Sequence, residues 1–326
     1  MLRDSAKAAI SLVAPAATFF LMRLYVGRTL GEEALGIYSL TWAVYSFALL
    51  AATLGIGSGL TRYVAQLGGS HRRQSRILVV GLVQALTTAT VVAVILAAIA
   101  RPMSSILFGI EQLPALLLCA AVVLPGAATG KAVLGFLNGQ NRLGMYALIS
   151  VVQSAAVVLC TVSLVRLGLG LRGAVFGLLV PIGAVGLASL GTLTAALRPG
   201  IERPRGIPIS RGLLTFGLMV TLTNGVGLVQ GYTDTLMIGA YLGERELGSY
   251  AAALLALQFI GFPGHVVQLA MTPRFAAQWG KGAIDGIGRT LDRTLSTTAV
   301  VVLPLAFSVA LGSRLLLGLV FGYGFD

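Results

Sequence analysis

The chain has 326 residues, of which 56% are hydrophobic and only 10% charged, and its formal net charge is +12. Ordinary soluble domains carry roughly 25% charged residues, so this composition, with a mean hydropathy of +0.91, excludes a soluble fold. Two cysteines, Cys119 and Cys160, sit in apolar runs and are too few for a disulfide framework or a metal site.

Apolar runs of about 20 residues recur along the whole length, each able to cross a hydrocarbon layer of roughly 30 Å as a helix. In chain order they predict nine spans, over residues 8–27, 34–56, 77–100, 113–136, 143–165, 172–196, 213–241, 247–270 and 294–319. Helices are the expected element because backbone in lipid must satisfy its own hydrogen bonds. The 42 glycines suit close helix packing in lipid. The first run follows Arg3 and Lys7 and continues past Ala14-Pro15-Ala16 to Tyr25, which predicts an uncleaved helix and not a signal peptide. Between spans lie polar joints, the longest at 57–76, 198–211 and 272–293, none of which could house a soluble domain.

The joints also set the expected orientation. Sixteen cations fall on the N-terminus and the even-numbered joints, among them Arg62, Lys131, Arg142 and Arg274, while six fall on the opposite side. The positive-inside rule then places the N-terminus in the cytoplasm. These cations suit anionic lipid head groups, so the positive charge requires no nucleic-acid partner.

An internal repeat organises the spans. Leu30-Gly31-Glu32-Glu33-Ala34-Leu35-Gly36-Ile37-Tyr38 recurs as Leu242-Gly243-Glu244-Arg245-Glu246-Leu247-Gly248-Ser249-Tyr250, with six identities in nine positions at an offset of 212. Arg62-Tyr63-Val64-Ala65-Gln66 matches Arg274-Phe275-Ala276-Ala277-Gln278 at the same offset, and Leu107-Phe108-Gly109 matches Val320-Phe321-Gly322 one residue further on. Six spans separate the two starts, an even number, so the copies are parallel repeats, an arrangement typical of transporters. The expected fold is an all-α integral membrane protein of two helix bundles, 1–211 with six helices and 212–326 with three. Relative to the repeat, three further helices are expected beyond Asp326, as in a C-terminally truncated chain.

The segments Gly27-Arg28-Thr29-Leu30-Gly31, Leu35-Gly36-Ile37-Tyr38-Ser39 and Ile238-Gly239-Ala240-Tyr241-Leu242-Gly243 resemble a known family, as do Leu137-Asn138-Gly139-Gln140-Asn141-Arg142 and Tyr232-Thr233-Asp234-Thr235-Leu236-Met237-Ile238-Gly239. They are similar to Wzx-type polysaccharide or O-antigen flippases of the multidrug, oligosaccharidyl-lipid and polysaccharide exporter superfamily. The likeness covers nearly the whole chain and rests on order and spacing. It implies a flippase that moves undecaprenyl-diphosphate-linked oligosaccharide from the cytoplasmic to the outer leaflet of the bacterial inner membrane, in the company of polysaccharide-assembly membrane proteins. No covalent bond changes in that process, so neither an enzyme nor a cofactor is expected. Other readings are a MATE-like drug or cation antiporter, a membrane-embedded glycan polymerase or ligase, and an inactive remnant.

An ionisable side chain within a span costs at least about 2.5–3.5 kcal/mol and is a functional candidate by default. Arg23 and Asp234 stand out, at nearly equivalent positions of the two copies. Under the resemblance Arg23 would bind diphosphate through its fork of donors and Asp234 would couple an ion. Structural alternatives are an Arg23 that snorkels beside Arg28 or an ion pair of the two. Arg62 and Arg274, matched by the repeat, would meet an arriving diphosphate or simply anchor the cytoplasmic ends. Asn224, Gln258, Gln84, Gln153 and Gln230 would bond sugar hydroxyls or join helices to one another. His265 beside Pro263 and Gly264 marks a kink or a titrating group. The sequence carries no nucleotide-binding loop, metal cluster or catalytic triad.

Overall fold

The computed structural model describes residues 2–67, 71–194 and 207–255, with short helical pieces between 257 and 311. It places eight α-helices in order: α1 (Leu2–Leu30), α2 (Glu32–Thr53), α3 (Ile56–Gln66), α4 (His71–Pro102), α5 (Leu113–Gly139), α6 (Leu143–Leu164), α7 (Gly170–Thr194) and α8 (Ile207–Tyr241). Short π-helical stretches, Met103–Phe108 and Val165–Leu169, close α4 and α6. Helical residues resume over 244–255. The chain forms two compact units, Met1–Gly248 and Ser249–Asp326. The first contains all eight helices, and in the second every described residue is helical.

Among the described residues, five stretches are long and apolar enough to cross a membrane: Glu32–Gln66, Arg73–Phe108, Leu113–Gly139, Leu143–Gly191 and Gly212–Tyr241. The fourth folds back on itself. Gly168, at φ 85, and Gly170, at φ 52, adopt left-handed backbone that glycine alone takes at no steric cost. This turn brings α7 onto α6 so closely that a Cβ on Gly177 would strike the backbone of Thr161.

The first stretch differs from the sequence expectation, which made 57–76 a joint. Leu54 and Gly55 break the helix in left-handed backbone, at φ 40 and φ 64, and α3 follows at once. It forms because Ile56, Leu60 and Val64 recur every four residues and are buried, whereas Ser58, Arg62, Ala65 and Gln66 face outward. The broken end of α2 docks on α8, where a Cβ on Gly217 would fall on the carbonyl of Leu54. A second difference concerns Lys131, assigned above to a joint. It lies inside α5, eight residues or about 12 Å before the helix ends.

At the centre stands α5, which packs against α2, α3, α4, α6 and α7. Its apolar window is 67% buried, against 11–39% in the other four stretches. Small residues make this possible, since lipid supplies no hydrophobic drive between helices and attraction comes from close van der Waals packing. A Cβ on Gly126 would strike the carbonyl of Gly183 on α7, and one on Gly186 would strike the carbonyl of Gly126. Towards its C-terminal end the same helix meets α3, where Gly135 faces the carbonyl of Gly57 and accepts a hydrogen bond from Thr61 Oγ1 at 2.9 Å.

Candidate functional site

Where α3 crosses α5, the packing leaves a cavity of about 530 Å³. It is bounded by Ser46, Leu49, Leu50 and Thr53 of α2, by Ser58 and Thr61 of α3, and by Lys131, Leu134 and Asn138 of α5. Tyr146 of α6 and Asn224 and Leu228 of α8 complete the wall. The spacings on α2 and α5 are i, i+3, i+4 and i+7, which is one face of a helix over two turns. Gly55, Gly57, Gly135 and Gly227 also line it. A Cβ on Gly55, Gly57 or Gly135 would strike the backbone of Gly217, Lys131 or Gly57, so these glycines set the close helix crossings that frame the cavity, whereas Gly227 has open space around it.

Among the described lining residues Lys131 is the only charged one; the polar groups around it are hydroxyls and amides, with no carboxylate among them. Lys131 is exposed where it lines the cavity, whereas the neighbouring α5 residues Gly130, Ala132 and Val133 are buried. An ammonium with three donors and no acceptor that faces neutral polar groups is arranged to receive an anion, and phosphate is one that lysine binds as a point charge. Among the described residues no group of three or more His, Cys, Asp or Glu is placed to hold a metal ion.

The structure distributes the sequence-predicted residues unevenly. Asn224 lines the cavity. Arg62 is exposed on α3, next to Thr61 and one turn beyond Ser58, with its guanidinium stacked 4.5 Å over the ring of Phe216 on α8. Arg23 is only 4% exposed and is not part of the lining. It packs between α1 and α2, where Nη2 donates to Ser39 Oγ at 2.9 Å and the guanidinium lies 5.3 Å from the Phe19 ring centroid. The surroundings are aromatic: Phe19 stacks on Trp42, and Trp42 Nε1 donates to the Tyr232 hydroxyl of α8 at 3.0 Å.

Asp234 is exposed on α8, ten residues or about 15 Å beyond Asn224. Near-equivalence in the repeat has therefore not given Arg23 and Asp234 equivalent surroundings. Gln84 and Gln153 are half-buried, Gln230 is exposed, and Gln258 is exposed within the second compact unit. Arg274 and His265 lie outside the described residues. Sequence reasoning missed Lys131 because it was counted with the cations of a joint, although it falls within the predicted span 113–136. The insertion cost that singled out Arg23 applies equally to it.

A family model described as a polysaccharide biosynthesis protein matches residues 25–326. A protein of Haloferax volcanii described as a probable low-salt glycan biosynthesis flippase is 19% identical over 99% of this chain and 66% of its own length. The lipid III flippase of Escherichia coli is 31% identical over 48% of this chain and 39% of its own length. The chain thus spans less than two thirds of either relative. Among solved structures, the inward-facing conformation of a MATE-family multidrug transporter of the MOP superfamily superposes with a TM-score of 0.68 at 17% identity, covering 96% of this chain and 75% of that one. The fold is that of a multi-pass membrane transporter.

Proposed function

Since the chain belongs to the polysaccharide biosynthesis protein family, we propose that it acts as a flippase for an undecaprenyl-diphosphate-linked oligosaccharide, carrying the glycan from the cytoplasmic to the outer leaflet of a bacterial inner membrane by alternating access. The physical task is to move sugar hydroxyls and a diphosphate through hydrocarbon while the lipid tail stays in the bilayer. Unpaired polar groups are costly there, so a polar chamber between helices has to replace water. The observation that carries the reading is the 530 Å³ cavity in which Lys131 is the one charged residue among the described lining. Its volume falls within the range of about 300–1,000 Å³ in which proteins enclose small ligands.

In this proposal Lys131 takes the diphosphate, Asn224 and Asn138 bond sugar hydroxyls, and Arg62 on the next turn of α3 meets the arriving anion. The N-terminus is cytoplasmic, the spans number nine, and the repeat divides the chain into bundles 1–211 and 212–326. A MATE-like carrier of cationic drugs fits the same fold, and the flippase reading is favoured because the described lining residues include a cation and no carboxylate.

Binding to the full chain in lipid nanodiscs tests the choice. Undecaprenyl-diphosphate-linked oligosaccharide should bind more tightly than a lipophilic cation such as tetraphenylphosphonium, and should compete with undecaprenyl diphosphate. Preference for the cation would overturn the proposal.

A further inference from the structure

The helices that frame the cavity carry cations and almost no acid. No Asp or Glu occurs over residues 34–110, 112–201 or 203–233, which take in α3 to α7 and most of α8, whereas Arg62, Arg73, Arg76, Lys131 and Arg142 all fall there. Two of these arginines share one rim. Gly139, at the end of α5, lies so close to α3 that a Cβ on it would sit 2.8 Å from the carbonyl oxygen of Thr61, and Arg62 follows Thr61. From the same end of α5 the chain turns back: Asn141 takes left-handed backbone at φ 58, and the Arg142 N–H donates to the Leu137 carbonyl at 2.9 Å. Each arginine adjoins a lining residue, Arg62 being next to Thr61 and the Arg142 carbonyl accepting from the Tyr146 N–H. Both arginines are exposed.

Their surroundings differ from those of plain anchors. A cation that only holds a helix end at the interface stretches toward water, but the Arg62 guanidinium folds over α8, 4.5 Å from the Phe216 ring centroid. The ring is carried there by backbone packing, since α8 lies along α3 with Leu213 against Gly59, Gly217 against Gly55 and Gly212 against the Tyr63 hydroxyl. A stacked guanidinium still presents its N–H donors in the plane of the group, and among the described residues no carboxylate pairs with Arg62 or Arg142. Arg142 is the N-cap residue of α6, where the helix dipole disfavours a positive charge. An anion on the rim would satisfy both charges. Planar guanidinium forks match phosphate oxygens, and a donor held in place beforehand loses less freedom on binding.

Lys131 stands about 12 Å along α5 from this rim, so rim and interior offer two stations to one kind of anion. We propose that Arg62 and Arg142 form an entry site for a lipid phosphate group at the mouth of the cavity, distinct from Lys131, with Phe216 as the positioning residue that holds Arg62 there. The proposal rests on the flippase reading only for the identity of the lipid, because a polyprenyl diphosphate and an anionic phospholipid headgroup present the same phosphate oxygens.

Binding kinetics of the full chain in phosphatidylcholine nanodiscs separate the two stations, because a rim charge sets the rate of arrival and an interior charge the rate of escape. The probes are farnesyl diphosphate and dioctanoyl phosphatidylglycerol. Arg62→Gln and Arg142→Gln should each slow association about tenfold and flatten its dependence on salt, whereas Lys131→Met should speed dissociation. Association at the parent rate in both arginine variants would overturn the entry site, as would failure of the parent chain to bind either probe. Phe216→Leu should slow association when Arg62 is present and add nothing in an Arg62→Gln background. Phe216→Tyr, which keeps a ring, should restore the parent rate and covers the case in which leucine loosens the helix crossing; additive losses would refute the positioning role. Faster arrival of farnesyl diphosphate assigns the site to cargo, and equal rates assign it to phospholipid headgroups. Phosphatidylglycerol bound through the arginines with no binding of farnesyl diphosphate would keep the entry site and sink the flippase reading, while diphosphate bound at an undiminished rate in both variants would sink the entry site alone.

Discussion

Replacing Lys131 with methionine removes the one charge among the described residues that line the cavity. Methionine keeps the length and the helix propensity of lysine, so α5 should form as before. The hydrogen bond from an ammonium to a charged oxygen is worth about 1.5–3 kcal/mol, and each 1.4 kcal/mol is a factor of ten in affinity, which gives roughly a 10- to 150-fold loss. Lys131 faces the open cavity and is not enclosed, so water screens part of the interaction and the low end applies. Affinity of the nanodisc-embedded chain for undecaprenyl diphosphate should therefore fall about tenfold, while Lys131→Arg, which keeps the charge, should fall far less. Stability should not fall, because a lysine within a span carries an insertion cost of at most about 2.5–3.5 kcal/mol, less away from the centre and beside an open cavity, and methionine carries none. Native mass spectrometry gives the affinity and thermal unfolding in detergent gives the stability. Equal affinity in Lys131→Met and the parent chain would refute the assignment, and parallel losses of affinity and stability would mark Lys131 as a packing residue.

Other positions give further tests. Ser39→Ala removes the hydrogen-bond partner of the buried Arg23 guanidinium and should cost about 1.5–3 kcal/mol of stability with little change in anion affinity; the reverse pattern would place Arg23 in the cargo path. Gly126→Leu drives a side chain into the carbonyl of Gly183 and should separate α5 from α7, seen as a thermal midpoint lowered by several degrees, whereas Gly144→Leu, with open space around it, should be neutral. Glu244 gives a pH dependence of defined sign. Burial and the Glu33 carboxylate raise its carboxyl above the ordinary value of 4.5, so its proton stabilises the folded chain. That stabilisation is complete below pH 4.5 and is lost as pH rises through the raised value. Glu244→Gln should flatten this dependence in thermal unfolding between pH 4 and pH 7 (about three units), and an unaltered profile would exclude Glu244 as its source.

Glu33→Arg follows from the internal repeat. Residue 33 corresponds in the repeat to Arg245, and Glu244 to Glu32, and Arg245 Nε already pairs with Glu32 Oε2 at 3.4 Å, so the substitution supplies the counterpart of that ion pair in place of an acid near an acid. It should leave the thermal midpoint equal or slightly raised, a gain that high salt would weaken; a lowered midpoint would refute the pairing.

The helices were legible in the sequence because apolar length alone dictates them in lipid. The predicted spans from 8–27 to 213–241 correspond to α1, α2, α4, α5, α6, α7 and α8, with ends extended by up to six residues where polar turns continue the helix. What escaped was α3, whose apolar stripe at Ile56, Leu60 and Val64 is narrow and sits among polar residues, so a criterion built on continuous hydrophobicity passes over it. Asn224 was found because a polar side chain in a span attracts attention. Lys131 was overlooked because proximity to a helix end resembles ordinary anchoring, and only the path of α5 past Gly57 shows that its side chain opens into a chamber.

The sequence by itself determined an all-helical membrane chain with an internal repeat at 212 residues and a resemblance to polysaccharide flippases, since hydropathy, glycine content and self-similarity are properties of the chain taken locally. Tertiary structure decided which residues meet. It folded Arg23 against Ser39 instead of into the cavity, gathered Lys131 and Asn224 from helices about 90 residues apart in the chain, and set the two repeat copies glycine to backbone. Such neighbours are fixed by the angles at which helices cross and by where missing side chains let backbones touch, and neither is written in the order of residues along one helix.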